Sequence, residues 1–258
     1  MRNNFSNTND HKLEFRIITN YPEMFPGALN YSLIGKALKK EIWSFKTTNL
    51  RDFGEGIHKK IDDSPAGGGG GMILRPDVVS NAILSTCKDL DLKNKNYPLI
   101  YLTPKGKQFN QKYANKLANK KVITIICGKF GGIDDRIFQK YNIKEISMGD
   151  FIMNGGEIAC QSMIETVVRL LPGVIGNKNS LNNESFSNGL LEHPKYTTPK
   201  NWNGIEIPKI IISGNHKKIK KWEFLKQIKI TKKRRPDLWK KFKKKNLQML
   251  IKMRENDK

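Results

Sequence analysis

Residues 122–136 read VITIICGKFGGIDDR, and the organisation of the chain can be worked outward from them. Val122–Cys127 is a short unbroken apolar run rich in β-branched residues, the pattern of a strand buried on both faces. Gly128 follows at once, with Gly131 and Gly132 close behind. The strand is therefore expected to leave abruptly into a loop whose backbone N–H and C=O groups could read the edge of a base. Asp134 and Asp135 close the loop, and at least one of them is placed to cap a helix starting near Ile137.

The same punctuation recurs on either side. Residues 99–102 (LIYL) stop at Thr103-Pro104, and Ile143–Ser147 runs into GDFIMNGGE. Helical patterns occupy residues 107–119 and 157–171, the second stopped by Pro172-Gly173. Upstream, residues 15–18 predict a strand, residues 32–42 a helix (Leu33, Ile34, Ala37, Leu38, Ile42), and a further helix should run from Pro76 to Cys87 with proline in its first turn. Strands alternating with helices mean an α/β fold built on a parallel sheet. Ligand sites in such sheets lie beyond the carboxyl ends of the strands. Residues 103–106, 128–132 and 148–156 hold those places here. Gly155-Gly156 stands just before a helix, where backbone amides point outward, although any helix N-terminus looks the same. Arg169 lies among Ile164, Val167, Val168 and Leu170 and needs either an ion-pair partner or a task.

Between these elements, residues 54–71 are glycine-rich and end in AGGGGGM. Five consecutive glycines exclude helix and strand. A Walker phosphate loop is excluded as well, because Met72-Ile73 stands where Lys-Ser/Thr is required. A surface loop is the expectation from this segment alone.

Composition shifts after Gly173. Residues 174–189 are rich in Asn, Ser and Gly, like a linker. Residues 200–258 hold 20 Lys plus Arg against 5 Asp plus Glu. That predicts a second, smaller and mostly helical domain. Gly214–Gln227 begins with turn residues that can cap a helix. Lys217, Lys218, Lys220 and Lys221, with residues 232–235 (KKRR) and an interleaved Trp222, make a surface suited to phosphates rather than to sequence readout. The whole chain carries 47 Lys plus Arg against 24 Asp plus Glu, a formal net charge of +23. Such a balance attracts a polyanion, and a lysine-biased proteome would contribute to it equally.

Cys87, Cys127 and Cys160 are odd in number and widely spaced. They make neither a disulfide framework nor a zinc site and are expected to fill the core. The opening MRNNFSNTND lacks an apolar segment, and no apolar run approaches membrane-spanning length. A reducing, cytoplasmic location without a membrane is the expectation.

Nine ordered segments together resemble the bacterial tRNA (guanine-N1)-methyltransferases. They are YPEMF (21–25), RDF (51–53), IDDSPAGGGGGM (61–72), IYLTPKGK (100–107), CGKFGGIDDR (127–136), SMGDFIMNGGE (147–157), RLLPGVIGN (169–177), ESFSNGLLEHPKYTTP (184–199) and SGNHKKIKKW (213–222). The resemblance implies an α/β methyltransferase domain of the deep trefoil-knotted SPOUT type over residues 13–174, a linker over 175–189, and a basic helical tRNA-binding domain over 190–258. It implies a homodimer with each active site shared between subunits. S-adenosylmethionine would be the cofactor, and methylation would fall on N1 of the guanosine 3′ of the anticodon, tRNA position 37. A magnesium requirement is implied too, without a dedicated metal site.

Carried over by position, the cofactor pocket would be lined by Tyr101, Leu102, Thr103, Pro104, Gly128, Gly132, Met148, Gly149, Phe151, Met153, Gly155 and Gly156. The catalytic arginine falls on Arg169 and the general base on Glu184. The chain departs from the family pattern at four places. Glu184 stands for the usual aspartate, Lys129-Phe130-Gly131 for Arg-Tyr-Glu, Ala159 for a proline, and Ala66 for a tyrosine. The third residue of the second departure removes a carboxylate expected to contact the target base. These departures leave a non-catalytic or altered-specificity RNA-binding relative of the same fold as the alternative.

Overall fold

The computed structural model describes residues 12–176 and 184–255, with side chains placed as far as residue 251. The chain forms two compact units that divide after Gly176.

The first unit contains, in chain order, β1 (Leu13–Thr19), α1 (Ser32–Lys39), β2 (Trp43–Asn49), β3 (Asp62–Asp63), β4 (Ile73–Leu74), α2 (Pro76–Thr86), β5 (Leu99–Gln108), α3 (Gln111–Leu117), β6 (Val122–Cys127), α4 (Arg136–Lys140), β7 (Ile143–Ser147) and α5 (Glu157–Val168). Five strands make one sheet in the order β2-β1-β6-β5-β7, and every pairing is parallel. This is the α/β architecture that the alternation of apolar runs and helical patterns implies. The strand period of two divides the core between the faces of the sheet. Ile17 and Ile125 pack into a cluster with Ala37, Leu117 and Met163. Their neighbours Ile18 and Ile126 pack with Val79, Ile83 and Ile137.

β2 leaves no mark in the sequence pattern. Its sequence WSFKTTN buries only Trp43 and sits at the sheet edge beside β1 alone, so it shows no long apolar run. β5 continues past Pro104, with a register shift in which Leu102 and Lys107 both pair with Ile146. Residues 103–106 thus leave the ladder as a bulge, which is how a strand accommodates a proline that cannot donate. The helix expected from residue 107 starts only at Gln111, where the Asn110 side chain accepts from the Tyr113 amide at 3.0 Å.

All three cysteines are buried. Burial pushes the thiols of Cys87 and Cys127 up, so they fill space rather than react.

The second unit holds a two-residue hairpin, β8 (Asn201–Trp202) with β9 (Ile205–Glu206), and the helices α6 (His216–Arg234), α7 (Pro236–Lys245) and α8 (Leu247–Glu255). Asn215 caps α6 by accepting from the Lys218 amide at 3.1 Å. Lys217, Lys218, Lys220 and Lys221 are exposed, while Trp222 is half-buried between His193 and Tyr196. Of the span read as a linker, residues 177–183 lie outside the described residues. Residues 184–191 make turns within the second unit: the Phe186 amide donates to the Leu190 carbonyl at 2.8 Å, Leu190 is fully buried, and the Leu191 amide donates to the Thr231 hydroxyl at 2.9 Å. Among the described residues no helix is long and apolar enough to cross a membrane.

Candidate active site

Three loops leave the carboxyl ends of β5, β6 and β7 and converge. The Gly156 amide donates to the Gly128 carbonyl at 2.9 Å, and Lys129 pairs with Gly155 as an antiparallel bridge. The Ser147 hydroxyl both donates to the Gly149 carbonyl and accepts from the Gly149 amide, at 3.0 and 3.1 Å. A side chain at Gly156 would lie 2.9 Å from the Cys127 Cα and from the Gly128 amide nitrogen. Glycine is required there because two backbones touch.

The loops enclose a cavity of 410 Å³. All twelve residues expected at a cofactor pocket line it: Tyr101, Leu102, Thr103 and Pro104 from the β5 end, Gly128 and Gly132 from the β6 end, and Met148, Gly149, Phe151, Met153, Gly155 and Gly156 from the β7 end. Lys129, Ser147, Asn154 and Ala159 are among the further residues that line it. Lys129 and Asn154 fall in the loops 128–132 and 148–156 marked at the strand ends, while Ser147 and Ala159 lie just outside them. Burial, reinforced by the charge of Glu145, pushes the Tyr101 phenol up to about 12, so the cavity wall is neutral there. Phe130 holds a left-handed backbone at φ +58°, a conformation that costs a non-glycine residue energy and tends to mark functional loops.

The glycine-rich segment is moored to this site. β3 and β4 pair antiparallel on either side of it. The Gly131 amide donates to the Met72 carbonyl at 2.7 Å, and the Leu74 amide to the Gly132 carbonyl at 2.9 Å. Gly67–Gly71 themselves face open space. The loop is exposed, as expected, but both its ends are fixed beside the cavity. Of the two acidic residues before α4, Asp134 does the capping, accepting from the Arg136 amide at 3.0 Å, while Asp135 makes no side-chain cap.

Two further residues, Arg169 and Glu184, are expected to do chemistry. Arg169 ends α5, where its amide donates to the Glu165 carbonyl at 3.1 Å, and it is not among the residues lining the cavity. Glu184 belongs to the second unit, with its carbonyl accepting from the Ser187 hydroxyl at 2.7 Å. Among the described residues no group of three or more His, Cys, Asp or Glu could hold a metal ion.

A parallel sheet whose strands end in glycine-bounded loops around one cavity, joined in the same chain to a strongly basic helical unit, defines a cofactor-dependent α/β enzyme acting on nucleic acid. The family described as tRNA (Guanine-1)-methyltransferase TrmD matches residues 13–241, and the chain belongs to it. A tRNA (guanine-N(1)-)-methyltransferase of Ruegeria pomeroyi is 51% identical over 224 residues, 87% of this chain and 91% of the relative. Proteins of the same description from Ehrlichia canis and Pelagibacter ubique are 48% and 47% identical, covering 88% and 89% of this chain and 95% and 98% of their own. Membership makes the chain a methyltransferase and implies the deep trefoil-knotted SPOUT topology for the sheet unit and the use of S-adenosylmethionine.

Proposed function

We propose that this chain transfers a methyl group from S-adenosylmethionine to N1 of the guanosine 3′ of the anticodon, tRNA position 37, as a cytoplasmic homodimer. The observation that carries the proposal is the gathering of all twelve motif-matched residues around one cavity at the carboxyl edge of the sheet. Its 410 Å³ is within the range of small-molecule sites. Its lining is largely backbone and apolar surface, which suits a purine held by amide and carbonyl groups.

Bound S-adenosylmethionine supplies an already activated sulfonium methyl. The remaining obstacle is that N1 of guanine carries a proton at neutral pH. Glu184, delivered from the partner subunit, takes that proton as general base. The Arg169 guanidinium stabilises the negative charge that develops on O6. The three loops would hold the donor and so supply the positioning that methyl transfer needs. Lysines of α6 neutralise tRNA phosphates. Magnesium dependence belongs to the proposal, without a protein cage for the ion.

The test is methyl transfer to an unmodified anticodon stem-loop transcript, with the product mapped by primer extension. The parent and Glu184→Asp should methylate position 37, Glu184→Gln should lose about 10²–10⁴-fold in rate, and chelation of magnesium should slow the parent. RNA binding without methyl incorporation would instead establish the non-catalytic alternative.

A further inference from the structure

Residues 51–62 border a further cavity, of 410 Å³, lined among others by Arg51, Ile57, Lys59 and Phe130. Phe130 also lines the cavity at the strand ends, so the two meet at its half-exposed ring. Facing that ring across the further cavity is a tight turn. Glu55 and Lys60 pair as an antiparallel bridge, their amides donating to each other's carbonyls at 3.1 and 2.9 Å, and the Lys59 amide donates to the Gly56 carbonyl at 3.1 Å. Gly56 and Lys59 both hold left-handed backbone, at φ +72° and +48°. Gly54 lies under the turn, where a Cβ would collide with the Lys59 carbonyl. Ile57 and His58 are thereby fixed at the tip.

Ile57 is 98% exposed. Folding does not account for a branched apolar side chain at a turn position where glycine and small polar residues are the rule. Its surroundings are cationic: Arg51, Lys59 and Lys60 stand around it, Lys59 in a loose pair with Asp52 at 3.9 Å. Of the two acids on this cavity, Glu55 is paired with Arg75, which leaves Asp62 against the three cations. An exposed apolar tip ringed by positive charge is the composition by which proteins enter a nucleic-acid stack. The charges take the phosphates and the apolar side chain goes between bases.

The methyl transfer proposed above needs such a device, and the inference rests on that reading. N1 lies on the pairing edge of guanine, and a base stacked between its neighbours does not reach a pocket that holds the methyl donor. We propose that Ile57 is the wedge that displaces the target guanosine: it enters the RNA stack as the base turns out and fills the gap left behind. Phe130, where the two cavities meet, gives the departing base an aromatic face to stack on. The closed backbone of the turn holds Ile57 in place before the RNA arrives, which lowers the ordering cost of insertion.

Two readouts on the full chain test it, with an anticodon stem-loop transcript as the probe. The first is single-turnover methyl transfer at saturating S-adenosylmethionine and RNA, so that a loss of affinity does not register. Ile57→Ala should be slower than the parent by about 10–100-fold, the cost of unstacking without a wedge, whereas Ile57→Leu should stay within about threefold. On a transcript that is abasic at the 3′ neighbour of the target, the deficit of Ile57→Ala should shrink to about threefold or less, because the stack is already broken. The second readout is the fluorescence of 2-aminopurine placed at that neighbour, which rises when its stacking is lost. The parent should raise it and Ile57→Ala should not, with or without the methyl donor. Melting temperatures of the parent and Ile57→Ala should agree, since the side chain is almost fully exposed. The proposal is overturned if Ile57→Ala methylates as fast as the parent, if its deficit is the same on the abasic transcript, or if the fluorescence change does not depend on Ile57. A parent that raises the fluorescence in an Ile57-dependent way yet transfers no methyl group upholds the wedge and refutes the methylation reading alone.

Discussion

The Thr19 hydroxyl, at the carboxyl end of β1, donates to the carboxylate of Glu157, the first residue of α5, at 2.8 Å. Both residues are buried, and the same Thr19 oxygen accepts from the Tyr21 amide at 3.0 Å. One side chain thus joins β1, the turn after it and the helix that follows Gly155-Gly156. Thr19→Val would leave the carboxylate short of a donor and should cost about 1–3 kcal/mol, while Thr19→Ser should stay close to the parent. Urea unfolding measures both, and a valine variant as stable as the parent would show that the bond contributes nothing.

Crowding at the glycines separates those that shape the cavity from those that do not. Gly156→Ala places a methyl against two backbone atoms and should lower stability by about 1–3 kcal/mol and donor affinity by roughly tenfold or more. Gly70→Ala, in open space without a positive φ, should change stability by no more than about 0.5 kcal/mol. Calorimetric binding and thermal melts of the two variants make the comparison.

Alkaline stability should depend on Tyr101. Its phenol titrates near 10 in an unfolded chain and is pushed up to about 12 by burial in the native one. Below pH 10 both states hold the proton and the full stability is present. Between pH 10 and 12 the unfolded state loses it first, and stability falls by on the order of 2–3 kcal/mol. Tyr101→Phe should flatten that part of the stability-versus-pH curve. An unchanged slope in the variant would place the alkaline loss elsewhere.

Asn20 is buried, yet among the described residues neither its amide nitrogen nor its amide oxygen has a hydrogen-bond partner. Replacing an unsatisfied buried amide with an apolar group of similar size removes a desolvation cost. Asn20→Leu should raise stability by about 1–3 kcal/mol. Denaturant midpoints at constant slope decide it, and a destabilised variant would mean that the amide is satisfied in solution.

Much of the candidate site was legible from residue patterns because its parts are local. Each loop follows an apolar run and is marked by glycine or proline, so residues 103–106, 128–132 and 148–156 could be placed at strand ends before any coordinates. The individual site residues came from resemblance to a family, since backbone binding leaves little trace in side-chain type. β2 escaped because an edge strand with one buried residue has no apolar run to betray it. The contact of Lys129 with Tyr21 escaped because the two lie 108 residues apart.

Sequence alone determined the parallel α/β class, the glycine exits from the strands, the buried cysteines and the concentration of positive charge towards the C-terminus, all of which follow from short-range periodicity and composition. Tertiary structure decided the strand order β2-β1-β6-β5-β7, the close approach of Gly156 to Cys127, and the meeting of two cavities at Phe130. Those depend on which distant segments pack together, and packing selects among arrangements that local propensities leave equivalent.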